Sequence, residues 1–172
     1  TGLMDAAGIL ASDGILAFPT ETVYGLGADA TNDKAIARIY SAKKRPNFNP
    51  LIVHFSDLAM VKNHVVWPDS AEILARAFWP GAVTFILRKK AKSSLSLLLS
   101  AGLPSIAIRI PDHPIALRLL SIFDGPIAAP SANPSGMISS TSAEHVLRNL
   151  AGNIDGIIDG GKCKLGLEST IV

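Results

Sequence analysis

The strongest limit on how this chain can fold is its alternation of very short apolar runs with stretches of helical period, each bounded by proline, glycine or a capping residue. Residues 15–18 form an apolar run that ends at Pro19, residues 51–55 follow Asn49-Pro50, and residues 83–87 follow Pro80-Gly81. Residues 106–110, 127–129, 156–158 and 169–172 supply further strand candidates. Helices are expected over 3–11, 33–44, 69–79, 113–123 and 141–150. Strands alternating with helices predict an α/β sheet covered by helices. Several strands are too short for the sequence to dictate their pairing, and a mixed sheet is expected. Residues 19–32 read as loop, and 93–101 as loop with a short helix.

Three local details carry expectations. In 33–44, Ile36, Ile39 and Tyr40 fall on one face and Asn32 or Asp33 can cap the start. Lys43 and Lys44 then occupy the last turn, before Pro46 stops the helix. In 69–79, Ile73, Leu74, Ala77 and Phe78 are expected to face inward. Thr141-x-x-Glu144 reads as a capping box opening the helix that runs to Leu150.

At 172 residues, the chain fits one domain with one substantial core. Hydrophobic residues make up 48% and charged residues 17%, with a mean hydropathy of +0.34, which excludes a disordered chain. The net charge of +2 is too mild to imply nucleic-acid binding by itself. Basic residues do cluster at 43–45, at 88–92 and at Lys162 with Lys164. The first of these stands at the mouth of a strand, where an anionic ligand can be held. Lone Cys163 excludes an intrachain disulfide and fits a reducing compartment, so a cytoplasmic location is expected. The first apolar stretch is interrupted by Asp5 and Asp13 and lacks a basic lead-in, unlike a signal peptide. No run approaches the roughly 18 apolar residues of a membrane span. The start at Thr1 and the stop inside an apolar run at Val172 suggest trimming, the C-terminus above all.

Common catalytic signatures are absent. There is no GxxxxGK[ST] loop, and Gly25-x-Gly27 lacks the third glycine of a dinucleotide fingerprint. Neither HExxH nor paired cysteines argue for a protein-bound metal, and no GxSxG argues for a serine hydrolase. What remains is polar residues at strand ends. Arg109 sits in an apolar strand, which demands a carboxylate or phosphate partner: either a ligand or an acidic side chain such as Glu21 or Glu168. His54 lies amid Leu51, Ile52, Val53 and Phe55 and, taken alone, reads more readily as a satisfied core histidine than as a site residue. Thr22, Ser131 and Asn133 serve as turn residues as readily as ligand-binding ones.

In order along the chain, Phe18-Pro19-Thr20-Glu21-Thr22-Val23-Tyr24-Gly25-Leu26-Gly27, Lys43-x-Arg45-Pro46 with Asn49-Pro50-Leu51, Trp79-Pro80-Gly81 with Val83-Thr84, Arg109-Ile110-Pro111, Ser131-x-Asn133 and Glu168-Ser169-Thr170-Ile171-Val172 resemble the YrdC-type threonylcarbamoyl-AMP synthase family. The resemblance spans nearly the whole chain. It implies a twisted mixed α/β sheet flanked by helices with a positively charged concave face, here as a single catalytic domain. It also implies joining of L-threonine, bicarbonate or carbon dioxide, and ATP, the ATP accompanied by magnesium, to give threonylcarbamoyl-adenylate and pyrophosphate. The product feeds tRNA modification through downstream threonylcarbamoyl-transferase proteins, with weak tRNA contact by this domain an open point.

Matched residue by residue, the resemblance assigns Thr22, His54, Arg109, Ser131 and Ser169 to threonine. It assigns Lys43, Arg45, Asn49, Ser105, Asn133 and Thr141 to ATP, with Lys43 and Arg45 as the catalytic cations. Longer members add a linker and a second C-terminal domain. Two other functions stay open: a related carbamoyl transfer, as in hydrogenase maturation, and an RNA-binding module without chemistry.

Overall fold

The computed structural model describes residues 1–46 and 48–172. Among these, eight strands form one sheet: β1 (Leu16–Phe18), β2 (Gly25–Asp29), β3 (Ile52–His54), β4 (Val83–Arg88), β5 (Ser105–Arg109), β6 (Ile127–Ala128), β7 (Gly156–Ile157) and β8 (Thr170–Ile171). Their spatial order is β7-β1-β2-β6-β3-β5-β4-β8. β7 with β1, β3 with β5 and β4 with β8 are parallel, and the other neighbours are antiparallel. The expected mixed α/β sheet is therefore the observed one. The helices are α1 (Leu3–Ala11), α2 (Asp33–Lys43), α3 (Leu58–His64), α4 (Asp69–Phe78), α5 (Pro114–Phe123) and α6 (Ala143–Leu150), with a 3-10 turn at Leu97–Ser100. None of the described helices is long and apolar enough to cross a membrane.

The register explains where the sheet is covered and where it is open. Residues directly opposite in neighbouring strands share a face. One face presents Ala17, Leu26, Ala28, Val53, Phe85, Ile106 and Ile108, which join Ile36 and Ile39 of α2 and Val61 of α3 in the main core. On the other face, Leu16, Phe18 and Ile127 are covered by Ala6 and Leu10 of α1 and by Ala116, Leu119 and Leu120 of α5. That second cover stops short. Ile52, His54, Ala107, Arg109 and Ile86 lie on the same face further along, and there the sheet borders a cavity.

Three expectations are corrected, and one helix is added to those expected. α4 buries Ala71 and Ala75, while Ile73, Leu74, Ala77 and Phe78 are exposed. The space over the sheet is taken by Trp67, Trp79 and Phe85, with Trp79 stacked on Phe85 at 4.3 Å. The cap of α6 is Ser142, whose Oγ accepts from His145 N at 3.3 Å, rather than Thr141; Glu144 pairs instead with Arg148 one turn on. β2 lies within the stretch read as loop. Its two glycines depress strand propensity, yet Phe18 packs so closely over β2 that a Cβ on Gly27 would stand 2.8 Å from the Phe18 ring. Finally, α3 is a further helix, capped by Asp57 Oδ1 accepting from Met60 N at 2.8 Å.

Candidate functional site

Buried polar side chains are rare in a core unless something pairs with them. Here Thr20, Glu21, Thr22, Lys43, His54, Thr84, Arg109, Asn133 and Ser140 are all buried, and they gather around the uncovered half of the sheet. The cavity there has a volume of about 370 Å³. That lies near the lower end of the range for small-molecule sites, roughly 300–1,000 Å³. It is lined by Thr20, Thr22, Arg45, His54, Arg109, Ser131, Glu168 and Ser169 among apolar residues that include Ile52, Ile86 and Ile171.

Arg109 reaches this cavity from the last position of β5, directly beside His54 of β3. Its guanidinium is held three ways. Nε donates to Gly81 O at 3.1 Å, Nη1 donates to Thr22 Oγ1 at 3.0 Å, and Nη2 donates to Glu21 Oε1. A guanidinium has five N–H groups. One N–H on each terminal nitrogen therefore remains to donate to a ligand such as a carboxylate. Glu21 was one of the two acidic partners the sequence suggested, so Arg109 has a structural ion pair and still faces the cavity.

The loop after β1 orients Thr22. Thr20 Oγ1 donates its single proton to Val23 O at 2.6 Å, so the 2.8 Å contact between the Thr20 and Thr22 hydroxyls is donated by Thr22. Thr22 Oγ1 also accepts from Arg109, which leaves it able to accept from a ligand but not to donate. The segment carrying Glu168 and Ser169 is clasped against this loop: Leu165 N donates to Glu21 O at 2.9 Å and Gly166 N to Thr22 O at 3.0 Å. Ser169 Oγ then lies 2.7 Å from Thr84 Oγ1, and Glu168 accepts from Ser139 Oγ at 2.7 Å.

His54 is fully enclosed, and burial first, then the Arg109 cation, push its pKa down to about 3. It is a neutral imidazole at ordinary pH. Its Nδ1 is buried without a hydrogen-bond partner, and Phe18 meets its ring edge-on at 6.3 Å. The structure thus brings together all five residues that the resemblance assigns to threonine. Of the six assigned to ATP, Arg45 alone lines the cavity. Arg45 is steadied by Nη2 donating to Pro50 O at 3.0 Å and Nε to Asn49 O at 3.3 Å.

The other ATP candidates lie around that cavity rather than in it. Ser105 opens β5 on the same strand face as Arg109, about 13 Å away at the rise of a strand. Thr141 Oγ1 is 3.3 Å from His145 Nδ1, and Asn133 donates to Pro134 O and Met137 O while its own Oδ1 is buried without a partner. Lys43 departs most from the picture of a solvent-facing phosphate ligand: it is 1% exposed, and its ammonium donates to Ser131 O and Asn133 O. Thr20, Thr84 and Ser140 were not singled out as site residues. Their hydroxyls act on neighbouring site groups, and nothing in their spacing shows that.

An arginine with donors to spare, a neutral histidine and a hydroxyl that can only accept, set in a cleft left open by the helices, make an α/β domain whose cavity has the chemistry to suit a small polar molecule bearing a carboxylate or similar anion. The chain belongs to the Sua5/YciO/YrdC family, whose model, described as "Telomere recombination", matches residues 8–172. It is 50% identical over 171 residues to a threonylcarbamoyl-AMP synthase of Bacillus subtilis, covering 99% of this chain and 49% of that protein. A putative threonylcarbamoyl-AMP synthase of Mycobacterium tuberculosis is 35% identical, with 78% of its length covered. Among solved structures, Pyrococcus abyssi Sua5 complexed with L-threonine superposes with a TM-score of 0.95 at 45% identity, covering 98% of this chain and 49% of that one. The chain thus spans about half the length of the Bacillus subtilis and Pyrococcus abyssi proteins.

Proposed function

We propose that this domain catalyses formation of threonylcarbamoyl-adenylate from L-threonine, bicarbonate or carbon dioxide, and ATP, releasing pyrophosphate. The observation that carries the reading is the convergence of Thr22, His54, Arg109, Ser131 and Ser169, from five separate segments, on one cavity of amino-acid scale. The free N–H groups of Arg109 take the threonine carboxylate. The acceptor face of Thr22 and the neutral ring of His54 suit hydroxyl and amine protons. A site that hydrogen-bonds the substrate hydroxyl rejects valine, which leaves those groups unpaired.

In the reaction, the threonine amine adds to carbon dioxide and loses a proton, forming an N-carboxylate. That oxygen attacks the α-phosphorus of ATP, the bond to the pyrophosphate oxygen breaks, and pyrophosphate leaves. The protein's part is positioning and charge stabilisation. Arg45 at the cavity edge meets the phosphates, with Asn49, Ser105, Asn133 and Thr141 placed around it for the rest of the nucleotide. Magnesium arrives as part of the ATP substrate, held chiefly by phosphate oxygens and water. The described residues contain no cluster of acidic, histidine or cysteine side chains that would hold a metal by itself. The product would pass to downstream proteins that transfer threonylcarbamoyl to tRNA.

The test is pyrophosphate release from MgATP and bicarbonate, with threonine present, absent, or replaced by valine or serine. Release that requires threonine supports the synthase. Absence of both threonine-dependent release and threonine binding would overturn it, and salt-sensitive RNA binding in that case would favour the RNA module.

A further inference from the structure

Lys43 closes α2, and its polar contacts outside that helix point to one loop. Its ammonium donates to the carbonyls of Ser131 and Asn133, two residues apart, while its own carbonyl accepts from Ser135 N at 2.8 Å. The carbonyl between them, Ala132 O, takes Ser140 Oγ at 2.8 Å, and Ala132 N donates to Tyr24 O at 2.7 Å. Three consecutive carbonyls, two of them buried, are therefore satisfied by two side chains instead of by a strand ladder. The side chains borne by this stretch are Ser131, which lines the cavity, and Asn133, whose Oδ1 is buried and unpartnered.

We propose that Lys43 is a positioning residue for the substrate sites, fixing the Ser131–Asn133 loop so that both substrates find their groups in place, and that it is not a phosphate ligand. Few other side chains suit this task. An ammonium carries three donors with no acceptor on a stem long enough to pass from a helix end beneath a loop, and charged donors strengthen each bond. Burial disfavours the cation and brings its pKa down to about 8, consistent with an ammonium enclosed by protein rather than turned to solvent. The inference rests on the proposed assignment of Ser131 to threonine and Asn133 to ATP.

The experiment is calorimetric titration of threonine, with no nucleotide present, into the wild type, Lys43→Met and Lys43→Arg. A positioning role weakens threonine binding in Lys43→Met by about tenfold or more, while Lys43→Arg, which keeps a cation able to bond two carbonyls, recovers part of it. Lys43→Met that keeps wild-type threonine affinity but loses ATP affinity overturns the proposal. Failure of the wild type itself to bind threonine counts against the function, a separate outcome. If Lys43→Met does not fold, nitrogen-15 spectra of lysine ammonium groups in the wild type, assigned by difference from Lys43→Arg, decide the matter. Positioning requires a slowly exchanging Lys43 signal in the ligand-free protein that ATP alone leaves in place; a shift or phosphorus coupling on adding ATP overturns it.

Discussion

Glu21 holds Arg109 in a buried ion pair beneath the cavity: Arg109 Nη2 donates to Glu21 Oε1, and the two side chains are 4% and 7% exposed. The remaining carboxylate oxygen of Glu21 is buried and unpartnered. The pair thus places a cation in an apolar strand and aims it, at the cost of a second buried charge.

That geometry separates stability from binding. Arg109→Ala leaves the Glu21 charge buried and alone and is expected to destabilise the fold by about 3–5 kcal/mol. Replacing both partners with neutral side chains of similar size, Arg109→Met with Glu21→Gln, should recover most of that stability without recovering threonine binding. Urea unfolding and threonine calorimetry on both variants check this; a double variant that binds threonine normally would remove Arg109 from the site.

Arg45 makes the opposite contrast. Among the described residues its side chain bonds only the carbonyls of Asn49 and Pro50, and it stands at the cavity edge, so Arg45→Ala should change stability by about 1 kcal/mol or less. It should raise the KM for ATP at least about tenfold while the affinity for threonine alone stays put. Steady-state kinetics with each substrate varied in turn reads the difference.

His54 makes stability depend on acid. Its folded pKa of about 3 lies below the ordinary 6.5, so between these values the unfolded chain binds a proton that the folded chain does not. Stability is therefore lost as pH falls from 6.5 toward 3, by about 1.4 kcal/mol per pH unit within that window from this group. His54→Gln should flatten the slope in denaturant unfolding at pH 6, 5 and 4. An unchanged slope would mean that His54 is not the group responsible.

Gly27 is held to glycine by packing, since a Cβ there would meet the Phe18 ring at 2.8 Å and Ile127 Cγ2 at 3.1 Å. Gly27→Ala should cost about 1–3 kcal/mol through overpacking between β1, β2 and β6. Thermal unfolding measures it, and a neutral substitution would show that the Phe18 ring can yield.

What residues 33–44, 3–11 and 106–110 become could be read locally, because caps, helical period and apolar runs act over a few residues. α1 begins and ends where expected, α2 is capped by Asn32, one of the two residues that could do so, and Arg109 was conspicuous as a charge among apolar neighbours. The order of motifs likewise pointed to Thr22, His54, Arg109, Ser131 and Ser169, which the fold brings to one cavity. Pairing and burial were decided elsewhere. β2 is a strand because β1 and β6 flank it, against the propensity of its glycines. Which face of α4 turns inward depended on three aromatic rings from other segments. Lys43 and Lys44 look alike in the chain, yet one lies beneath the Ser131–Asn133 loop and the other is exposed at the helix end. Local sequence sets propensity and period, whereas a charge's partner is chosen by whichever distant segment the fold lays against it, and only the tertiary structure could supply Glu21 to Arg109 and two carbonyls to Lys43.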